Sequence, residues 1–535
     1  MSQSRPQQSR QSLALLLASS VIILTAVLSL LWSNARLLWQ DEFLSFYSDS
    51  VPSVAHVVRV QLHSPISLDP PTYHLLSHFF MKLIGANAIA LRLPALLGFL
   101  LMEISIYALV RRLASARAAI VAMTLPLVTA SFRYSVEGRP YGLLLGLYAM
   151  ALLCWYVAQD SEAPSHSRTG RTWALVGLAL SIALAITSHY FGILILVPVA
   201  SGEIARTIER RRLDRPMLLA IAAGFAAVFV ILPFRHALQP YRTHYYINGV
   251  GIRDISQGYR ELFVMYSQWP ITAQRLTALT LVVCVLVLFW SGRRRFLRRP
   301  ASESKSLWIA LFAFAALPFF SFLFGRFITH TMEVRYVAAT IIPFAVVAAL
   351  VLDRFLRSTP FFAALEFAIL LLAISITSAQ IAAARASGAS LLASMTIPSS
   401  LQQELDTHPS ERLYTQSLTD FFLDTYYART PALAQRLTLV YDEPREVHWL
   451  GHNTNAITAV YLGRFSQLRV MPYCQFLQQD KPLLISYPDT WSWIDQEMAA
   501  TGISAKSLGP VMRGQLVRIN APSPCNATSA VNHAD

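Results

Sequence analysis

A mainly α-helical, polytopic membrane protein with a small α/β domain at its C-terminal end is the fold class that this 535-residue chain predicts, on three observations. Apolar residues make up 54% of the chain and charged ones only 14%, and the mean hydropathy is +0.45, a balance too apolar for an ordinary soluble domain. Windows of about 20 apolar residues, the length that crosses about 30 Å of hydrocarbon, recur through the first 382 residues. Beyond them the pattern changes to short β-like runs alternating with helical stretches.

Taken in order, the windows place spans near 13–33, 91–110, 117–132, 141–158, 173–188, 190–205, 217–234, 273–291, 307–325, 336–352 and 361–382, about eleven in all. The first, Leu13 to Trp32, is long, lacks a clear small-residue cleavage site and reads as an anchor rather than a signal peptide. Lys and Arg near span ends mark the cytoplasmic side. With the N-terminus inside, Arg111-Arg112, Arg168 and Arg171, Arg210-Arg211-Arg212 with Arg215, Arg293-Arg294-Arg295 with Arg298-Arg299, and Arg354 with Arg357 all fall on that side. The net charge of +14 is therefore mostly topogenic, with no groove or helix face of clustered charge to suggest a nucleic acid.

Two parts are expected: a transmembrane domain, 1–382, and an outer α/β domain, 383–535. The first outer loop, 34–90, shows helical spacing at Val51 to Leu62 and Tyr73 to Ile84, read as two interfacial helices separated by Ser64-Pro65 and Asp69-Pro70-Pro71. A second outer loop, 235–272, is rich in aromatics, including Tyr241, Tyr245, Tyr246, Tyr259, Tyr266 and Trp269, most of which read as an interfacial belt. In the outer domain, strands are expected at Leu437 to Tyr441, Ala456 to Leu462 and Pro482 to Tyr487, and helices at Ser417 to Tyr427 and Ser492 to Ala500. Cys474 and Cys525 both lie there, where an oxidising compartment permits a disulfide.

The acid pair Asp41-Glu42 stands directly after the first span, where carboxylates serve chemistry or ion binding, or cap the helix that follows. Further motifs recur at the outer ends of spans: Trp39-Gln40-Asp41-Glu42, Asp69-Pro70-Pro71-Thr72-Tyr73-His74, Leu91-Arg92-Leu93-Pro94-Ala95, Glu137-Gly138-Arg139-Pro140-Tyr141, Ser188-His189-Tyr190-Phe191-Gly192 and Glu333-Val334-Arg335-Tyr336. As a series, running in order through about the first 360 residues, they resemble the bacterial branch of the protein O-mannosyltransferase superfamily, which includes the aminoarabinose transferases of lipid A and the galacturonosyl transferases of lipopolysaccharide core.

The resemblance implies a GT-C glycosyltransferase of the bacterial inner membrane, inverting at the anomeric carbon. It would take a sugar from a polyprenyl phosphate and give it to a glycan, lipid or protein acceptor on the outer face. Asp41 is then the general base that takes the acceptor's proton, with Glu42 orienting it. Arg335 and Arg139, each near a tyrosine (Tyr336, Tyr141), neutralise the leaving phosphate. Glu137 and Glu333 sit two residues before those arginines and would steer them. Asp69, held by Pro70-Pro71, joins His74 and His189 at the substrate site. Asp69 and His74 are the residues a divalent metal would use, if the resemblance extends to the metal of the aminoarabinose transferases. The full acid and lysine arrangement that those transferases carry in their first loop is absent, so their sugar does not transfer with the resemblance.

Other readings remain at this stage: a transporter, a non-catalytic membrane protein that binds polyprenyl phosphate, and a glycan polymerase or ligase. A transporter would place ionisable residues deep in several spans. Here they cluster at span ends, with Glu103 the main exception.

Overall fold

The computed structural model describes residues 5–160, 168–242, 244, 250–263, 305–356, 361–395, 397, 403, 407, 411–428, 431–487 and 492–520. The span expected at 273–291, the basic run 293–299, Tyr245, Tyr246, Tyr266, Trp269, Cys284 and Cys525 lie outside these residues. The chain divides into two compact units, one of residues 1–34, 69–232 and 247–381, the other of 35–68, 233–246 and 382–535.

The first unit is a bundle of long apolar helices. Among the described residues eight helices are long and apolar enough to cross a membrane, and two further bent pairs bring the number to ten. The protein is therefore a multi-pass membrane protein. Both bent pairs fall on expected spans. The helix Ala116–Thr124 runs into the turns Leu125–Val128 and Ala130–Val136 with a 78° bend, and Lys305–Ala315 meets Leu317–Thr329 at 52°. Pro126 and Pro318 lie at these breaks, where a missing N–H and a clashing ring end a helix.

Small residues bring two of the spans into backbone contact. A Cβ on Gly98 of the Ala88–Leu113 helix would lie 2.2 Å from the Cα of Leu143, and one on Gly146 would lie 2.3 Å from the carbonyl oxygen of Gly98. Gly142 and Gly146, four apart on the Tyr141–Asp160 helix, thus make the close-packed face that membrane helices use in place of a hydrophobic driving force. Deep in the bundle the hydroxyl of Thr25 donates to Glu103 at 2.9 Å, both groups being buried. At the end expected to be cytoplasmic, Arg206 bridges Glu203 (2.9 Å) and Asp214 (2.9 Å), Arg171 reaches Asp214 at 2.6 Å, and the indole of Trp155 donates to Glu203 at 3.1 Å. This network ties four helices together with two cations and two carboxylates.

The second unit contains a six-stranded sheet in the order β3-β2-β1-β4-β6-β5, where β1 is Leu413–Thr415, β2 Leu437–Tyr441, β3 Arg469–Pro472, β4 Leu483–Ser486, β5 Ala505–Val511 and β6 Gly514–Ile519. The first four strands are parallel, and β6 closes antiparallel on β4. Its core packs Tyr414, Val440, Tyr473, Phe476, Leu484, Trp493 and Ile494. Helices at Leu418–Tyr426 and Trp493–Thr501 and strands at Leu437–Tyr441 and Leu483–Ser486 agree with expectation. The run Ala456 to Leu462 does not: it lies inside a helix, Thr454–Phe465. Its β-branched residues favour a strand locally, but the parallel pairing of β2 with β3 needs a crossover element, and that requirement overrides propensity.

The first loop is also more helical than its sequence suggests. Helices at Val54–His63 and Pro71–Ile84 match the expected pair, the former capped by the Ser53 hydroxyl. A third helix, Gln40–Asp49, carries Asp41 and Glu42 in its first turn. Tyr241, expected in the belt, is instead buried, its hydroxyl donating to the carbonyl of Pro65 at 2.8 Å. Cys474 is disulfide-bonded.

Candidate active site

A buried polar cluster forms in the first unit from four of the motifs. Asp69 precedes the Pro71–Ile84 helix, whose first residue, Pro71, has the fixed φ that suits a helix start. The Tyr73 hydroxyl pins that helix to the Leu91 carbonyl at 2.8 Å, and the Thr72 hydroxyl donates to Thr187 at 2.7 Å. Arg92, almost fully buried, donates to the Ser33 carbonyl at 2.6 Å, so this arginine holds the first span in place.

Around Asp69 stand Arg139 and His189. Arg139 Nη2 lies 2.7 Å from Asp69 Oδ2, an ion pair that is close in distance although its angle is not that of a hydrogen bond, and His189 Nε2 lies 3.6 Å from Oδ1. All three side chains are nearly excluded from solvent. Burial alone would push the Asp69 carboxyl up, but Arg139, His189, His74 and Arg335 together hold it below the ordinary carboxylate range, so it is ionised. His189 is pushed down to about 4, burial outweighing the pull of Asp69. It is therefore neutral at pH 7. Its Nδ1 accepts the N–H of Phe191 at 3.1 Å, which assigns the ring proton to Nε2, the nitrogen facing Asp69.

Aromatic rings line the rest. Tyr336 packs on His189 (4.9 Å between centroids), Phe191 (4.4 Å) and Tyr141 (6.1 Å), and the guanidinium of Arg335 rides 5.7 Å and 5.8 Å from the rings of Tyr141 and Tyr336. Cation–π contact of this kind holds an arginine in one place without consuming its hydrogen-bond donors. The geometry gathers two guanidiniums, one ionised carboxylate and a neutral imidazole, a group with excess positive charge suited to a phosphate.

Of the residues singled out from sequence, Asp69, Arg139, Tyr141, His189, Arg335 and Tyr336 come together here. His74 is fully buried one helical turn on from Asp69 and acts on its charge. The carboxylate of Glu137 lies 3.6 Å from Arg133 and its carbonyl accepts the Arg139 N–H at 2.7 Å, so Glu137 shapes the turn that presents Arg139. Glu333 acts through its backbone, accepting the Tyr336 N–H at 2.9 Å. Asp41 and Glu42 belong to the other unit. There the buried carboxylate of Glu42 accepts the Trp39 N–H at 3.3 Å and lies 3.7 Å from Arg36, which makes it a helix cap. Phe191 stands in a motif quoted from the sequence but was given no role there, and Thr187, just before that motif, was missed; only its place beside His189 signals it.

A divalent metal at Asp69 and His74 is not supported by these residues. Among the described residues no three His, Cys, Asp or Glu side chains are grouped to hold a metal ion, and Asp69 already faces a guanidinium at 2.7 Å. No step is routed through one.

Residues 69–234 match the sequence profile of the dolichyl-phosphate-mannose-protein mannosyltransferase family. No curated protein matches the chain by sequence. By structure, it is similar to ArnT from Cupriavidus metallidurans in the apo state, with 14% identity over 95% of this chain and 99% of that one and a TM-score of 0.59. The same protein bound to undecaprenyl phosphate gives 14% identity, the same coverage and a TM-score of 0.57. A looser likeness, with 15% identity, 77% and 61% coverage and a TM-score of 0.44, is to the Archaeoglobus fulgidus oligosaccharyltransferase in complex with zinc and sulfate.

Proposed function

We propose that this chain, whose fold is that of the GT-C glycosyltransferase superfamily, transfers a sugar from a polyprenyl-phosphate donor to a hydroxyl-bearing acceptor, a glycan, lipid or protein, on the extracytoplasmic face of a bacterial inner membrane. The observation that carries the reading is the buried cluster of Arg139 and Arg335 with Asp69, His189, Tyr141 and Tyr336, within a fold it shares with a protein crystallised with undecaprenyl phosphate. The 1–382 and 383–535 parts act as membrane-embedded enzyme and outer domain.

In the reaction, the acceptor oxygen attacks the anomeric carbon from the face opposite the phosphate, and the C–O bond to phosphate breaks with inversion. The bond's electron pair leaves on the lipid phosphate, whose growing charge Arg335 and Arg139 stabilise. Arg335 is the better placed of the two, because the rings of Tyr141 and Tyr336 hold its guanidinium, whereas Arg139 lies 2.7 Å from the Asp69 carboxylate. Asp69 keeps Arg139 oriented, and neutral His189 adds an Nε2–H to the same carboxylate's surroundings. Asp41, in the first turn of the Gln40–Asp49 helix, takes the acceptor proton.

The test is transfer from a panel of radiolabelled polyprenyl-phosphate sugars by the purified protein in lipid vesicles carrying membrane extract. Transfer of one sugar by the wild type, with loss on Arg335→Ala, supports the reading. A folded wild type that transfers none of the panel, and neither binds nor hydrolyses any of it, overturns it.

A further inference from the structure

We infer that the Leu418–Tyr426 helix of the C-terminal α/β domain sets the aim of Asp41, and that Thr419 and Tyr427 are positioning residues for that carboxylate. The inference rests on the reading of Asp41 as general base. Asp41 stands at the second position of a ten-residue helix, Gln40–Asp49. A helix of that length is marginal in water by itself and takes its pitch and rotation from whatever it packs on.

What it packs on is one helix of the C-terminal domain, gripped on both sides of Asp41. Before the acid, the Leu38 N–H donates to the Tyr427 hydroxyl at 2.9 Å, and the Thr419 hydroxyl donates to Oε1 of Gln40 at 2.7 Å. After it, Phe43 stacks on Phe422 at 5.5 Å and meets the edges of Tyr426 and Tyr427, Tyr47 stacks on Phe422 at 5.3 Å, and Phe46 meets Tyr426 at 5.1 Å. These contacts run to the residues on either side of Asp41, so they fix the direction in which the helix presents it.

The supporting helix is itself locked to the sheet. It starts directly after β1, on the capping hydroxyl of Ser417. Arg513, at the head of β6, lies 2.6 Å from Asp420 and 3.3 Å from Asp424, and the Tyr487 hydroxyl, beyond β4, donates to Asp424. Register therefore passes from the sheet to the Leu418–Tyr426 helix and from there to the first turn of Gln40–Asp49, the kind of second layer that holds a reacting group within a fraction of an ångström.

The test measures steady-state turnover and thermal midpoints of the full-length protein in vesicles for Thr419→Val, Thr419→Ser, Tyr427→Phe and Asp41→Asn. Thr419→Val and Tyr427→Phe are expected to lower kcat by roughly tenfold, the scale of a displacement well under 1 Å, with the donor KM within about twofold. Thr419→Ser, which keeps the hydroxyl, restores most of the loss. Trp449→Phe, which removes a bond to Glu497 elsewhere in the domain, lowers the thermal midpoint and leaves kcat in place. Wild-type kcat in both hydroxyl variants beside an inactive Asp41→Asn overturns this inference alone. So does an equal kcat loss in Trp449→Phe, which would mark the effect as general destabilisation. Full turnover by Asp41→Asn removes the base reading, and this inference with it.

Discussion

Replacing Arg139 by methionine should make the protein's stability depend on pH in a direction the wild type does not show. In the native cluster the pair Arg139–Asp69 is 2.7 Å apart, with side-chain exposures of 9% and 4%. At an effective dielectric of about 20, that separation corresponds to about 6 kcal/mol of attraction, much of it offset by desolvation. Removing one partner of such a buried pair costs about 3–5 kcal/mol, because the other charge stays buried without compensation. In the wild type Asp69 is depressed below its unfolded value, so its contribution is fully present above about pH 4 and is lost only as pH falls further. Without Arg139, burial, the largest influence on Asp69, loses its strongest opponent. The carboxyl then rises above its unfolded value, the folded state binds the proton more tightly, and stability declines as pH increases through the raised value. Thermal unfolding in detergent at pH 5 and pH 7.5 reads this directly: the deficit of Arg139→Met should be larger at pH 7.5, and Asp69→Asn in the same protein should recover much of it. A deficit of equal size at the two pH values, unrelieved by Asp69→Asn, would refute the reasoning.

Other substitutions separate function from packing. Arg335→Lys keeps the charge and loses the planar fork, so kcat/KM should fall about 10- to 100-fold, the scale of a charged hydrogen bond of about 1.5–3 kcal/mol, while the thermal midpoint hardly moves; kinetics with graded donor check it. Gly98→Ala should cripple folded yield in membranes, since backbone atoms 2.2–2.7 Å from the new Cβ cannot rotate aside, and overpacking of this kind costs about 1–3 kcal/mol or more; size-exclusion profiles of the extracted protein show it. Arg206→Met leaves Glu203 and Asp214 without the cation they share, so it should lower the thermal midpoint strongly while molecules that remain folded turn over normally.

The spans were legible because crossing hydrocarbon imposes a length and composition that no tertiary contact can override. Their bends were not, since a proline inside an apolar run, such as Pro94, leaves one helix unbroken whereas Pro126 and Pro318 lie at breaks. The parallel strand β3 and the helix over Ala456 to Leu462 depended on each other and so escaped a local reading. In the site, each motif carried its residue type, but the pairing of Asp69 with Arg139, seventy positions away, and the neutral state of His189 follow only from burial. The helix bearing Asp41 escaped notice because its apolar face, Phe43, Phe46 and Tyr47, gains meaning only against Phe422 and Tyr426.

The most direct test of the central claim counts the polyprenyl monophosphate released per sugar transferred, by phosphorus NMR and radiolabel together, for wild type and Asp41→Asn in matched amounts. One monophosphate per sugar from the wild type, and neither product from Asp41→Asn although the donor still binds, is the predicted result. Equal turnover by the two proteins, or sugar transfer without monophosphate release, would contradict the account.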